Sequence, residues 1–357
     1  MNNNLKESFL VLVRMGLEHV SGALPDNRVW SAIHALANQQ GLSAIVMDGI
    51  ERLPKNQRPP QVILLNWIGE TLQSESQNAV QKRAAGEMAD VFYNNHIRTY
   101  VLKGEVIAEC YPKPNHRLSV DLDCYVRPVS GDFDAWTLGN DLIRNKGYEV
   151  KTDFYKNSTF LLPGLTVENH RYLTPFRGNK KLTTLESVLQ SLLHMDKGED
   201  RFEDTWLYRP PVMVTALFII EHAYSHFLHE GLTWRLVLDW MMFGKKRQKE
   251  IDWIALEAYV DEFGFRKFYD SYVRLGQYLL GEISEEALTK ADRLLLEDIW
   301  SPLDLHKTVR GIKGKLALAG NTWRARWKYR HFTDMSWLTA LWIQVKGFLF
   351  DKHPSLA

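Results

Sequence analysis

Two acidic residues separated by one leucine, inside an otherwise apolar run, constrain this chain more than any other feature. The run is SVDLDCYV, Ser119 to Val126, and it follows an earlier apolar run that ends in Leu102-Lys103-Gly104. Residues two apart on a strand project from the same face, so Asp121 and Asp123 point together while Leu122 points into the core. Two carboxylates aimed at one point repel each other unless a cation joins them. Hard oxygen ligands so arranged suit a divalent metal of the kind that carries nucleotide phosphates. A solvated edge-strand pair is the alternative, and the flanking Val120, Leu122 and Val126 make it the less natural one.

The rest of the chain reads as helices on either side of this stretch. Apolar residues recur three or four apart from Leu5 to about Gln40, punctuated by Pro25 and Asp26, which predicts helix, loop, helix. A polar, proline-rich connection, ERLPKNQRPP, precedes a long helical pattern from Val62 to about His96. Gly69 and Gly86 lie inside it, each costing about 1 kcal/mol against alanine, so a break there is compatible with the pattern. The texture changes at Arg98. Thr99 to Leu102 reads as a strand, Gly104 to Cys110 as a short helix, Tyr111 to Asn115 as a rigid loop and Leu118 to Val126 as a strand. Asp132 to Lys146 reads as a helix closed by Gly147. Tyr148 to Phe154, Ser158 to Leu162 and Leu165 to Tyr172 read as three more strands. From Thr183 onward the pattern is helical almost to the end. The expected organisation is a helical N-terminal region over 1–97, an α+β core with a mixed sheet over 98–182, and a helical C-terminal region over 183–357.

Bulk properties exclude several classes. The 44 basic and 43 acidic residues leave a net charge of +1, so no global field draws the chain to nucleic acid or an anionic membrane. Cys110 and Cys124 are its two cysteines, both in apolar patterns, and the N-terminus lacks a signal-peptide layout. Both features predict a cytoplasmic protein. The most membrane-like segment, Met335 to Phe350, contains Gln344 and Lys346 and is shorter than the ~20 apolar residues a spanning helix needs. It reads as a buried or amphipathic terminal helix, with peripheral membrane contact as the lesser alternative.

Gly104 falls where a strand turns into a helix, a place where a glycine lets phosphate approach backbone amides. Together with the Asp-x-Asp strand, this resembles the nucleotidyltransferase superfamily that includes DNA polymerase beta. The chain is more closely similar to a bacterial family described as uncharacterised nucleotidyltransferases. The residues that carry the likeness are Leu102-Lys103-Gly104, Tyr111-Pro112, Arg117, Asp121-Leu122-Asp123 with Val126, and Val167-Glu168-Asn169-His170. Glu221 to His226 and Trp234 to Asp239 resemble the family's histidine-bearing helix and its later aspartate. The likeness runs from Arg98 to about Phe243, and its motifs are specific in combination.

The resemblance implies a polymerase beta-like core and a magnesium- or manganese-dependent enzyme. Such an enzyme moves a nucleoside monophosphate from an NTP to an acceptor and releases pyrophosphate. Asp121 and Asp123 would hold the metal, with Glu168 as the third acid. Lys103, Gly104, Arg117 and Arg235 would meet the nucleotide, and His170 and His226 the substrate. The acceptor, whether protein, RNA or small molecule, is not specified. One departure stands out: the superfamily usually has a serine or a second glycine directly after the turn glycine, whereas this chain has Glu105. A carboxylate beside the triphosphate path is unfavourable unless it turns away or meets a cation. That motivates an alternative, a catalytically inactive nucleotide-binding or regulatory module of the same fold.

Bland readings stand beside these. Arg117 would equally brace its loop by pairing with a carboxylate. Glu168 and His170 would form a plain polar strand face. His222, His226 and His229 share a helix face, but with no intervening glutamate base or cysteine they suit packing better than zinc. Arg235 and Asp239 read most simply as a helix pair. Trp323 to Arg330, WRARWKYR, is the best nucleic-acid-binding candidate, and an amphipathic helix face explains it as well.

Overall fold

A six-stranded mixed sheet carries the Asp121–Asp123 stretch at its centre, in the order β3-β4-β5-β2-β1-β6. The computed structural model describes residues 2–18, 24–25, 28–153, 156–175, 179–301 and 323–342. The strands are β1 (Ile97–Val101), β2 (Asp121–Pro128), β3 (Val150–Asp153), β4 (Asn157–Leu162), β5 (Leu165–His170) and β6 (Leu207–Tyr208). β1 runs antiparallel to β2, and β2 runs parallel to β5. β6 lies beyond the span expected to form the sheet. At two residues it is too short to show an alternating pattern, and it takes its place by parallel pairing with β1.

Alternation along the strands divides the sheet into an apolar and a polar face. Leu122, Cys124 and Val126 of β2 and Val167 of β5 are buried on one side. That side is covered by α4 (Gln61–Asn94) and α6 (Ala135–Asn145). Asn140 of α6 accepts from Ser158 and Asn169, and Trp136 donates to the Asn169 carbonyl, so buried strand polar groups are satisfied. α4 crosses the span of Gly69 and Gly86 unbroken. α6 starts with Asp134 accepting from the Thr137 amide, and Gly147, at φ 89°, follows its end.

The polar face, with Asp121, Asp123 and Tyr125, lies against α7 (Lys180–Met195) and α8 (Val212–His229). Tyr125 donates to Gln190 of α7, and the Phe218 ring of α8 meets His170 edge-on. Beyond them pack α9 (Trp234–Lys246), α10 (Trp253–Glu262), α11 (Arg266–Leu280) and α12 (Lys290–Trp300). The N-terminal helices α1 (Asn3–Gly16), α2 (Trp30–Gln39) and α3 (Ser43–Glu51) lean on this layer. α1 and α3 cross so closely that a Cβ on Gly16 would sit 2.0 Å from the Ile45 carbonyl oxygen, and one on Gly49 2.1 Å from that of Leu12. Only glycine permits that approach. Gln40 ties N- to C-terminal helices, donating to the Ile299 carbonyl and accepting from the Trp234 amide.

Two polar clusters, the first buried and the second partly exposed, pin the loop between α5 (Glu105–Ala108) and β2. In the first, the Arg117 guanidinium grips Asp239 of α9 with two hydrogen bonds of 2.8 Å, and Tyr111 donates to the same carboxylate at 2.7 Å. Asp239 therefore turns to Arg117 and not, as its helical spacing suggests, to Arg235. In the second, His116 lies between Asp48 of α3 and Glu75 of α4, 2.7 Å and 2.8 Å away, and Lys113 closes on Asp48.

Near the end of the described chain, α13 (Arg326–Phe332) sends Lys328 fully inward. Its ammonium meets Asp298 at 2.9 Å and the Phe227 carbonyl at 2.6 Å. Ala325, Lys328 and Tyr329 of the Trp323 to Arg330 cluster are thus interior, while Trp323, Arg324, Arg326 and Arg330 are exposed. Residues 337–342 are helical, and residues 343–350 of the Met335 to Phe350 segment lie outside the described residues. Among the described residues no helix is long and apolar enough to cross a membrane.

Removing one partner of a buried ion pair strands the other, at a cost of about 3–5 kcal/mol. Urea unfolding of Arg117→Met should show a loss of that size, much of it recovered in Arg117→Met/Asp239→Leu. The His116 imidazole, hydrogen-bonded first to Asp48 and, against burial, also to Glu75, is raised above its ordinary 6.5. A raised folded-state pKa stabilises fully below the unfolded value and is lost as pH rises through the folded one. The stability gap between wild type and His116→Gln should therefore be widest between about pH 5.5 and 6.5 and shrink above that range.

Candidate functional site

Parallel pairing sets Asp121 beside Thr166, Asp123 beside Glu168 and Tyr125 beside His170, so these side chains share the polar face. The His170 Nε2–H donates to Asp123 Oδ1 at 3.0 Å and lies 3.7 Å from Glu168 Oε2. Asn157, from the neighbouring β4, donates to Glu168 at 3.0 Å. Ligand atoms of Asp123, Glu168 and His170 all come within 4.8 Å of one another. Asp121 stands outside that group, closer to solvent: its side chain is 28% exposed against 2% for Asp123.

Between the two aspartates sits Lys103. Its ammonium is 2.8 Å from Asp123 Oδ2 and 3.8 Å from Asp121 Oδ1. It also donates to His222 Nε2 of α8 at 3.3 Å. Burial alone would push the Asp123 carboxyl up. The Lys103 charge, aided by the His170 hydrogen bond, overrides it and holds the group well below the ordinary carboxylate range. Burial likewise opposes the charge on Lys103, and Asp123 and Asp121 outweigh it, so the ammonium is retained. His222 is driven well below its ordinary value by burial and then by Lys103, which leaves a neutral ring able to accept. Glu168 is raised by burial and by the charge of Asp123.

Gly104 follows immediately, at φ 70° and ψ −110°, a conformation L side chains rarely adopt. The turn opens onto a cleft of about 450 Å³ whose lining includes Lys82, Gly104, Ser119, Asp121, Phe202 and Arg209. A pocket of that size is in the range for small-molecule ligands. Glu105 lies in the same cleft, and its carboxylate meets Lys82 of α4 at 3.0 Å. The charge that stood out in the sequence is thus neutralised by a lysine one helix away. A serine is also present, supplied by Ser119: a Cβ on Gly104 would lie 3.4 Å from its Oγ.

Arg117 is buried, and its fork is committed to Asp239, the bracing alternative to phosphate contact. Arg235 donates to the Leu118 carbonyl at 3.2 Å and shares with Lys103 the lining of a small internal pocket. His226 stacks edge-on against His222 with centroids 4.4 Å apart and pairs with Glu230 at 2.7 Å. His229 bonds the Ser225 carbonyl, and the three helix histidines form no metal-binding group among the described residues. Lys82, Asn157 and the contact of His222 with Lys103 went unread in the sequence. No local spacing relates them to Asp123.

The donor set fits a divalent cation. Asp123 and Glu168 supply hard oxygens side by side, and the Asp123 charge, which after burial pushes Glu168 upward, is a repulsion that a shared cation would relieve. The model of the uncharacterised nucleotidyltransferase family matches residues 26–281, more than half the chain. No curated protein and no solved structure matches it. The matched span contains the Gly104 turn, both aspartates, Glu168, His170 and the α8 and α9 residues that close the site. The chain belongs to the uncharacterised nucleotidyltransferase family.

Proposed function

We propose that the protein is a magnesium- or manganese-dependent enzyme that transfers a nucleoside monophosphate from an NTP to a hydroxyl of a protein, RNA or small molecule. The observation that carries this reading is the pair Asp123 and Glu168. They are held side by side on parallel strands, one strongly ionised and the other pushed toward its protonated form. Carboxylates whose environments separate them in this way are suited to different roles. Asp121 and Asp123 are the metal-holding residues, with Glu168 completing the cluster and His170 orienting Asp123 through its hydrogen bond. A bound divalent cation supplies charge neutralisation at the α-phosphate and the leaving pyrophosphate.

The chain's own groups account for the rest. Gly104 leaves space for phosphate against the backbone, and the cleft beside it accommodates the nucleotide. Glu168, steered by Asn157, accepts the proton of the attacking hydroxyl. The hydroxyl oxygen bonds to the α-phosphorus as the bond from that phosphorus to the bridging oxygen breaks, and that oxygen leaves with pyrophosphate. The pairing of Glu105 with Lys82 removes the electrostatic objection to an anionic substrate.

Incubation of the protein with α-labelled NTPs, magnesium and cell lysate should label a macromolecule or small molecule. Asp123→Asn should reduce labelling by a factor of about 10² or more. Absence of label with every NTP, together with no calorimetric NTP binding, would overturn the proposal. Label that fails to transfer despite tight NTP binding would favour the inactive nucleotide-binding module. Glu168→Gln should retain NTP binding within a few-fold while transfer falls by roughly 10²–10⁴, as removal of a general base requires.

A further inference from the structure

Lys103 occupies an unusual position for a residue expected to touch phosphate. Its side chain is 15% exposed, and its ammonium points into the carboxylate pair. An ammonium has three protons to donate, and three acceptors face it: Asp123 Oδ2 at 2.8 Å, Asp121 Oδ1 at 3.8 Å and the bare Nε2 of His222 at 3.3 Å. The two aspartates are the residues assigned to the metal. A divalent ion brought to Asp123 would stand within a few ångströms of a positive charge held there already.

The surroundings leave that charge few places to go. Lys103 lines a small internal pocket together with Arg117, Arg235 and His222. Arg235 already acts to destabilise the ammonium, and Arg117 is cationic and committed to Asp239. Retreat in that direction brings like charges together, and His222, held neutral by burial and by Lys103, accepts a hydrogen bond but carries no counter-charge. Asp121, the more distant of the two carboxylates facing the ammonium, also lines the cleft at the Gly104 turn. Anions bound there would offer the ammonium a new partner when it leaves Asp123.

We infer that Lys103 is the resident cation of the Asp121–Asp123 centre, competing with the divalent metal so that the site loads metal well only when nucleotide phosphates take Lys103 over. The inference rests on the metal-dependent reading of this site and deepens it by assigning a metal-loading order. Lys103 is a positioning residue in this scheme. It holds the Asp123 carboxylate in place by their 2.8 Å ion pair, while its own charge excludes free metal. A purely structural Lys103 predicts instead that metal joins Asp123, Glu168 and His170 with the ammonium still in place.

Titration with Mn2+ alone, following the free-ion signal by electron paramagnetic resonance, separates the two. Lys103→Met should bind Mn2+ about tenfold more tightly than wild type, the usual scale for a coupling of this kind. Lys103→Arg, which keeps the charge, should stay as weak as wild type, and Lys103→Met/Asp123→Asn should lose the gain. Equal or weaker binding by Lys103→Met, or none, overturns the inference. Because Lys103→Met strands Asp123, a measurement on the wild-type chain stands beside it. Saturating Mn2+ should raise the rate at which acetic anhydride acetylates Lys103, read by mass spectrometry, and an unchanged rate overturns the inference even if the variant fails to fold. Neither readout needs nucleotide transfer. A chain that labels an acceptor but shows no Lys103 effect loses this inference alone, and one that shows the effect but transfers nothing loses the proposed activity alone.

Discussion

Because β2 and β5 run parallel in a register that sets Asp123 beside Glu168, two carboxylates meet on a sheet face that α7 and α8 cover. Burying like charges together is costly, and the molecule is arranged around offsetting that cost. Lys103 answers Asp123 from the end of β1, His170 answers it from two residues further along β5, and Asn157 answers Glu168 from β4. Four neighbouring segments thus contribute to one charge balance. A slip of one residue between β2 and β5 would turn either acid to the apolar face beneath α4 and α6.

Besides the direct contacts of α8 with Lys103 and His170, the helical layers act on this centre through the loop that leads into β2. Arg117 and Tyr111 fasten the loop to Asp239 on α9, and Lys113 and His116 fasten it to Asp48 on α3. The strand carrying the aspartates is therefore held by N- and C-terminal helices at once. This explains why residues with motif-like spacing, such as Arg117, serve as braces. A bidentate arginine is as well matched to a carboxylate as to a phosphate, and here the carboxylate is already in place.

Much of this was legible in the sequence. Alternation of apolar residues located five strands, the long α4 helix and the glycine-closed end of α6, because local periodicity reflects which side of an element meets the core. The two-residue β6 carried no such signal. Its place is decided by pairing with β1, a contact between segments far apart in the chain. The possible break in α4 at Gly69 and Gly86 did not occur. A propensity cost of about 1 kcal/mol at each glycine is small beside the packing of a 34-residue helix on the sheet.

The site divides along the same line. Spacing by two on a strand was enough to put Asp121 and Asp123 on one face, and a glycine at a strand-to-helix junction was enough to place a positive-φ turn there. Tertiary structure alone decided that Asp123 is buried while Asp121 borders the cleft, that Lys103 stands between them, and that Lys82 neutralises Glu105. Spacing governs which way side chains point along one element. Partnership between charges depends on distances across elements, and the parallel register and the helices packed over it set those distances.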